Sequence, residues 1–427
     1  MKTYRYPTPD QWTEITARPV MSTAEVEARV RPILDAVRDR GDVAVREFSE
    51  RFDGAAPDAV RVTEEEFAAA RAALPQNLRD ALHRAYENIK RFHEAQREPV
   101  TLVETQPGVR CWRRSVPIRR VGIYVPGGTA PLFSSVLMLG VPAAVAGCTE
   151  VVMCTPPGRD GTLPHAMCYA AELAGVHQVF KIGGAQAVAA MAYGTEWVPR
   201  VYKIFGPGNQ YVTAAKQIIS REGVAIDLPA GPSEVLVLAD DSARVDFVAA
   251  DLLSQAEHGA DSQVVLVTTS EALFDTLPTE LQKQLVHLPR RATAEQALSH
   301  SRTVLVRDAE AAVALTNAYA PEHLIIASDR AAAWSEDIYH AGSIFLGHLT
   351  PESVGDYASG TNHTLPTNGW ATAYSGVSLD SFVKKITYQE LTADGLRNLG
   401  PTVEVMAEAE QLRGHRNAVS IRLESLR

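Results

Sequence analysis

A chain of 427 residues is too long for one ordinary core, so two or more domains are expected. Hydrophobic residues make up 46% and charged residues 22%, the balance of a soluble globular protein. The net charge of −10 excludes a general attraction to nucleic acid phosphates or anionic membranes.

At the start, MKTYRYPTPDQW lacks the apolar centre of a signal peptide. The first hundred residues read as helices. STAEVEARVRPILDAVRDRGDVAVREFSERF opens with a capping box, Ser22 with Glu25, and continues with apolar positions at helical spacing. Residues 74–95 repeat that pattern, and nothing in this part points to chemistry. From Val121 the texture changes to short β-rich runs, VGIYV, EVVMC, QVFKI and RVYKIF, each followed by a helix-like segment. The longest apolar run, PLFSSVLMLGVPAAVAGC, is broken by serines, glycines and Pro142 and cannot span a bilayer. A second series, SEVLVLA, QVVLVT, TVLVR, HLIIAS and SIFLG, begins after PAGPS. Strands alternating with helices predict βαβ units and parallel sheets, here in two nucleotide-fold-like domains. The cysteines, Cys111, Cys148, Cys154 and Cys168, form no C-x-x-C pair, which argues against disulfides or thiolate zinc. These properties lead us to expect a cytoplasmic enzyme.

Several stretches carry chemistry. YVPGGTAP, KIGGAQAV and IFGPGNQYV follow strands of the first series. Glycine there lets backbone approach a ligand, and the next helix offers free N–H groups to an anion. None matches G-x-G-x-x-G or a Walker motif, so each alone also fits an ordinary tight turn. DLLSQAEHG places Gln255 and His258 on one helix face. An internally satisfied polar pair and half of a metal or substrate site both fit that stretch. APEHL sets Glu322 beside His323, an acid next to the side chain that titrates nearest neutrality. SVGDYASGTNHTLPTNG, residues 353–369, reads as a long loop dense in polar groups, including Asp356, Tyr357, Asn362 and His363. Near the C-terminus, EQLRGHRNAV spaces Glu410 and His415 five apart at a helix end.

These motifs, with VGIYVPGGTAPLFSSVLM, GGAQAVAAMAYGTE, KIFGPGNQYVTAAK and IDLPAGPSEVLVLAD, resemble the histidinol dehydrogenase family in the same order, from about Ser22 to the C-terminus. The resemblance implies an α/β fold of two incomplete Rossmann-like domains with small helical N- and C-terminal dimerisation segments. Residues 1–24 would form the N-terminal segment, 25–123 with 235–377 the first domain, 124–234 an inserted domain with the NAD turns, and 378–427 the C-terminal segment. It implies oxidation of L-histidinol to L-histidine in two NAD-dependent steps through an enzyme-held aldehyde, with one zinc per subunit. It also implies a homodimer whose active sites are shared between subunits, with no nucleic acid or membrane partner.

Carried over by motif, Gln255, His258, Asp356 and His415 would bind the zinc. His323 would be the general base, and Glu322 would activate the hydrating water. Ser233, His363 and Glu410 would hold substrate together with Gln255, His258, His323, Asp356 and His415. Tyr124, Gln186 and Asn209 would contact NAD. Related zinc dehydrogenases that oxidise sulfonated diols are a rival reading. A carboxylate at Glu410 suits a cationic amino alcohol and repels a sulfonate. A non-catalytic NAD- or metal-binding descendant would have no need of both Glu322 and His323. A zinc hydrolase would leave the glycine turns unexplained, and no H-E-x-x-H is present.

Overall fold

Among the described residues the strands of the two large sheets pair in parallel, with one isolated antiparallel bridge, Arg61↔Phe180, at an edge, so each strand is followed by a crossover that covers a sheet face. The structure is a computed structural model and describes residues 1–19, 23–55, 59–127, 131–229 and 231–427. The expected capping residue Ser22 lies outside them. The strands among the described residues are β1 (Lys2–Arg5), β2 (Leu102–Gln106), β3 (Val109–Pro117), β4 (Arg120–Tyr124), β5 (Glu150–Thr155), β6 (Gln178–Lys181) and β7 (Lys203–Phe205). They continue as β8 (Ala225–Ile226), β9 (Glu234–Ala239), β10 (Gln263–Thr268), β11 (Arg302–Leu305), β12 (His323–Ala327), β13 (Ser343–Leu346) and β14 (Val383–Leu391). The chain forms two units, Met1–Ala95 with Ile118–Phe382, and Gln96–Pro117 with Val383–Arg427.

The first unit holds both parallel sheets, ordered β6-β5-β4-β7-β8 and β1-β11-β10-β9-β12-β13. In each, the strand that opens its series stands inside, β4 or β9, with the next two on one side and the last two on the other. The expected α/β architecture with Rossmann-like order is therefore present twice, each sheet with its own switch point. β9 and β10 are buried at every position, which is why EVLVLA and QVVLVT show no polar alternation. β1 was not expected in a start read as helical. It is four residues long, pairs only with β11, and buries one side chain, Tyr4, so its sequence carries almost no pattern.

The helices of the first hundred residues pack on the five-stranded sheet. Val30 and Leu34 of the helix Thr23–Arg40 share a core with Val188 and Ile218. Leu82 and Ile89 of Gln76–Glu94 share another with Ile123 and Met138. An amphipathic face carries no address, and here it is buried by the sheet that follows next in the chain.

The second unit is a three-stranded antiparallel sheet, β14-β3-β2, with the helices Ala393–Ala409 and Arg413–Ser425. β14 runs in register against β3 from Val383↔Pro117 to Leu391↔Val109, and Trp112 stacks on Tyr388 at 5.4 Å. The C-terminal segment expected to be helical thus also supplies a strand. No helix among the described residues is long and apolar enough to cross a membrane.

Candidate active site

The carboxyl end of the five-stranded sheet gathers the glycine turns. Tyr124 ends β4, and its hydroxyl accepts from the Gly184 N–H at 3.1 Å, at the start of the helix Gly184–Tyr193. Burial pushes the Tyr124 phenol above its ordinary pKa. Gln186 is fully buried and donates through Nε2 to Asp53 at 3.2 Å, while its Oε1 has no partner. Asn209 caps the helix Gln210–Arg221, accepting from Tyr211 and Val212. Gly206 follows β7 with φ +118, and a Cβ there would lie 2.0 Å from the Tyr124 carbonyl oxygen. At this switch point the backbones of β4 and β7 come too close for any side chain. Turns of this kind at strand carboxyl ends bind nucleotides in open α/β sheets. Residues 128–130 of the first turn lie outside the described residues.

The acid–imidazole pair sits at the other kind of end. His323 opens β12, beside Val235 of β9, so it lies at the amino edge of the six-stranded sheet. The backbone of Glu234, the first residue of β9, fastens both members. Its N–H donates to Glu322 Oε2 at 2.8 Å, and its carbonyl accepts from His323 Nδ1 at 3.2 Å. That bond fixes the proton on Nδ1 and leaves Nε2 as the working nitrogen, 3.4 Å from Asp356 Oδ1. The Glu234 carboxylate is itself held by a two-pronged bond from Arg18, Nε at 2.8 Å and Nη2 at 2.9 Å. Arg18 also lies over the Tyr319 ring at 3.9 Å. Burial raises the Glu322 carboxyl above its usual range. Burial alone would lower His323, but the Glu322, Asp356 and Glu352 carboxylates outweigh it and hold the imidazole well above its ordinary value.

Beside His323, one ligand atom each from His258, Glu352 and Asp356 lies within 4.8 Å of the others. Gln255 stands in the last turn of the helix Val245–Ala256, is fully buried, and donates through Nε2 to His258 Nδ1 at 3.2 Å. Its Oε1 has no donor, and neither has Glu352 Oε2. The His258 side chain is open to solvent on one side, and crowding on the other lowers its pKa, keeping it neutral. Burial pushes Asp356 up, but the neighbouring His323 more than reverses this and leaves it below the usual carboxylate range. Burial also pushes Glu352 up, to about 8. An orphaned amide oxygen, a neutral imidazole and two carboxylates fit a borderline divalent ion such as zinc.

The loop expected over residues 353–369 is not all loop. Its beginning is the helix Glu352–Tyr357, which sends Glu352 and Asp356, four residues apart, to one side. Glu352 was missed because PESVGDY shows no apolar period. His363 donates from Nδ1 to the Asp356 carbonyl at 3.0 Å, so its Nε2 accepts from the Ser135 hydroxyl at 3.0 Å. Asn362 donates to the Met138 carbonyl. Ser135 stands in the first turn of the helix Phe133–Ala146, which follows the β4 turn. The amino end of one sheet therefore meets the carboxyl end of the other at this loop. Ser233 precedes β9, half-buried. Glu410 and His415 lie in the second unit, both exposed, around the turn between its two helices.

Two doubly wound sheets, glycine turns at the carboxyl end of one and a buried acid–imidazole pair at the amino end of the other, fit an α/β oxidoreductase. A family model described as histidinol dehydrogenase matches residues 16–423. Histidinol dehydrogenase from Bacteroides thetaiotaomicron is 56% identical over 427 residues, covering 100% of both chains. The chloroplastic enzyme of Arabidopsis thaliana is 52% identical over 431 residues, covering 100% of this chain and 92% of its own. The crystal structure of histidinol dehydrogenase from Elizabethkingia anophelis superposes with a TM-score of 0.97 at 50% identity, covering 100% of this chain and 98% of that one. The chain belongs to the histidinol dehydrogenase family, oxidoreductases of histidine biosynthesis.

Proposed function

We propose that the protein catalyses the zinc- and NAD-dependent four-electron oxidation of L-histidinol to L-histidine through enzyme-bound L-histidinaldehyde, as a cytoplasmic homodimer. The observation that carries this reading is the meeting of His323, Glu322 and the orphaned donors with the helix turn behind the β4 glycine loop. Gln255, His258, Asp356 and His415 would hold the metal, which when bound supplies a positive centre for the substrate's nitrogens. NAD would lie against the Tyr124, Gln186 and Asn209 turns and, when bound, would supply the hydride acceptor for each oxidation.

His323 Nε2 takes the hydroxyl proton as hydride leaves the carbinol carbon, giving the aldehyde. Its Nδ1–H, tied to the Glu234 carbonyl, keeps the ring aimed. The Glu322, Asp356 and Glu352 carboxyl groups around His323 raise its proton affinity. A cation held in the donor cluster would oppose them and favour the imidazole as a base. Glu322 then orients water for addition to the aldehyde and passes the proton through His323. The hydrate loses a second hydride and a proton to become the carboxylic acid. Ser233, His363 and Glu410 would grip the substrate, with the Glu410 carboxylate suited to an ammonium group. His415 and Glu410 would come from the neighbouring subunit.

Metal-replete protein given L-histidinol should form two NADH per histidine. His323→Asn should slow both oxidations, by on the order of 10²–10⁴-fold. Glu322→Gln should spare the first hydride transfer more than the second, read in single turnovers started from L-histidinol and from L-histidinaldehyde. Equal loss in both steps would refute the division of roles, and one NADH per substrate would refute the four-electron reaction.

A further inference from the structure

The metal ligands carried over by motif do not include Glu352, yet it is placed as they are. It shows no exposed surface, and its Oε2 has no hydrogen-bond partner. Oε1 accepts from the Ser254 hydroxyl at 3.2 Å, which turns the carboxylate toward the cluster. A Glu352 oxygen falls within 4.8 Å of ligand atoms on both His258 and Asp356. Beside it, the fully buried Gln255 Oε1 is a second unpartnered acceptor. Two buried acceptors with nothing to accept from, next to a carboxylate and an imidazole, call for a cation. Among the described residues no Lys or Arg is paired with Glu352.

We propose that Glu352 is a metal-facing carboxylate. The first unit then offers four donors of its own, Gln255, His258, Glu352 and Asp356, before His415 is counted. Two carboxylates, an amide oxygen and one imidazole form a harder set than the zinc ligands alone, and would retain a divalent ion on a chain lacking His415. The inference rests on the reading that this cluster holds zinc.

The test is zinc binding by the full-length, metal-stripped protein, followed by competition with a chromophoric chelator and by thermal unfolding with and without zinc. Glu352→Gln should bind zinc about 10- to 100-fold more weakly and lose most of the metal-induced rise in Tm. Metal-free Glu352→Gln should melt no lower than metal-free wild type, because glutamine keeps the shape of the side chain and an oxygen for the Ser254 hydroxyl. Glu352→Asp should bind zinc with intermediate strength, and His415→Ala should still bind zinc. Unchanged zinc affinity in Glu352→Gln, with wild type binding and Asp356→Asn not binding, would overturn the role of Glu352 alone. Wild type that binds no zinc would overturn the metal reading itself. A metal-free Glu352→Gln chain melting well below wild type would also overturn the proposal, since the carboxylate would then be serving the fold.

Discussion

Glu234 couples residues that are far apart in the chain. Its main chain holds Glu322 and His323, and its side chain is gripped by Arg18 from the N-terminal segment. The Arg18 and Glu234 side chains are 12% and 2% exposed, so removing either charge strands the other away from water. Arg18→Ala should therefore lower the unfolding free energy by about 3–5 kcal/mol. Arg18→Lys, which keeps the charge and loses the fork, should recover part of it and show a larger fall in kcat than rise in KM. Denaturant midpoints and steady-state kinetics with L-histidinol check both, and an Arg18→Ala chain as stable as wild type would remove the clamp. At this scale the sequence was legible only where a residue type announces its chemistry. Glu322 beside His323 could be noticed as a dipeptide. The grouping of Gln255, His258 and Asp356 came from family resemblance, because metal donors on different elements have no sequence period. Glu352 and Arg18 stayed hidden because a glutamate and an arginine are ordinary surface residues until burial is known.

At the scale of elements, the Gly206 turn shows how a loop without a nucleotide fingerprint is made rigid. The buried pair Lys216–Asp227, 3% and 1% exposed, braces both sides of the glycine. Lys216 donates to the Gly206 carbonyl at 2.8 Å and Asp227 accepts from its N–H at 2.7 Å. Gly206→Ala would combine left-handed backbone strain with a collision against the Tyr124 main chain, which cannot swing aside. The expected cost is more than ~2 kcal/mol, with NAD affinity falling alongside, measured by chemical denaturation and NADH fluorescence titration. Normal stability and affinity would mean that β4 and β7 can separate. The alternation of β4–β7 and β9–β13 with helices was readable because most of these strands are buried on both faces and read as continuous apolar runs. β1, β2, β3 and β14 were not, since edge strands and a small sheet with charged positions, such as VKKITYQEL, blur the two-residue period.

At the scale of the whole molecule, the proposed homodimer with shared sites makes a prediction no single chain could satisfy. A mixed dimer of His323→Ala and His415→Ala would carry one site with both lesions and one with neither. Random exchange of two inactive proteins should then restore about a quarter of wild-type activity, by counting sites in a two-fold dimer. Proven exchange with no recovery would put both residues in one chain's site. The second unit has a further consequence, for the order in which the protein is made. β3 ends at Pro117 and finds its partner β14 only at Val383, while β1 at Lys2–Arg5 waits for β11 at Arg302–Leu305. At ribosomal speeds of roughly 5–20 residues per second, these edges stay open for about 10 to 60 seconds. During that interval the nascent chain exposes unpaired strand edges of the kind that chaperones shield. Any message truncated before Val383 would release a polypeptide with β3 permanently unzipped on one side, a ready target for proteolytic quality control.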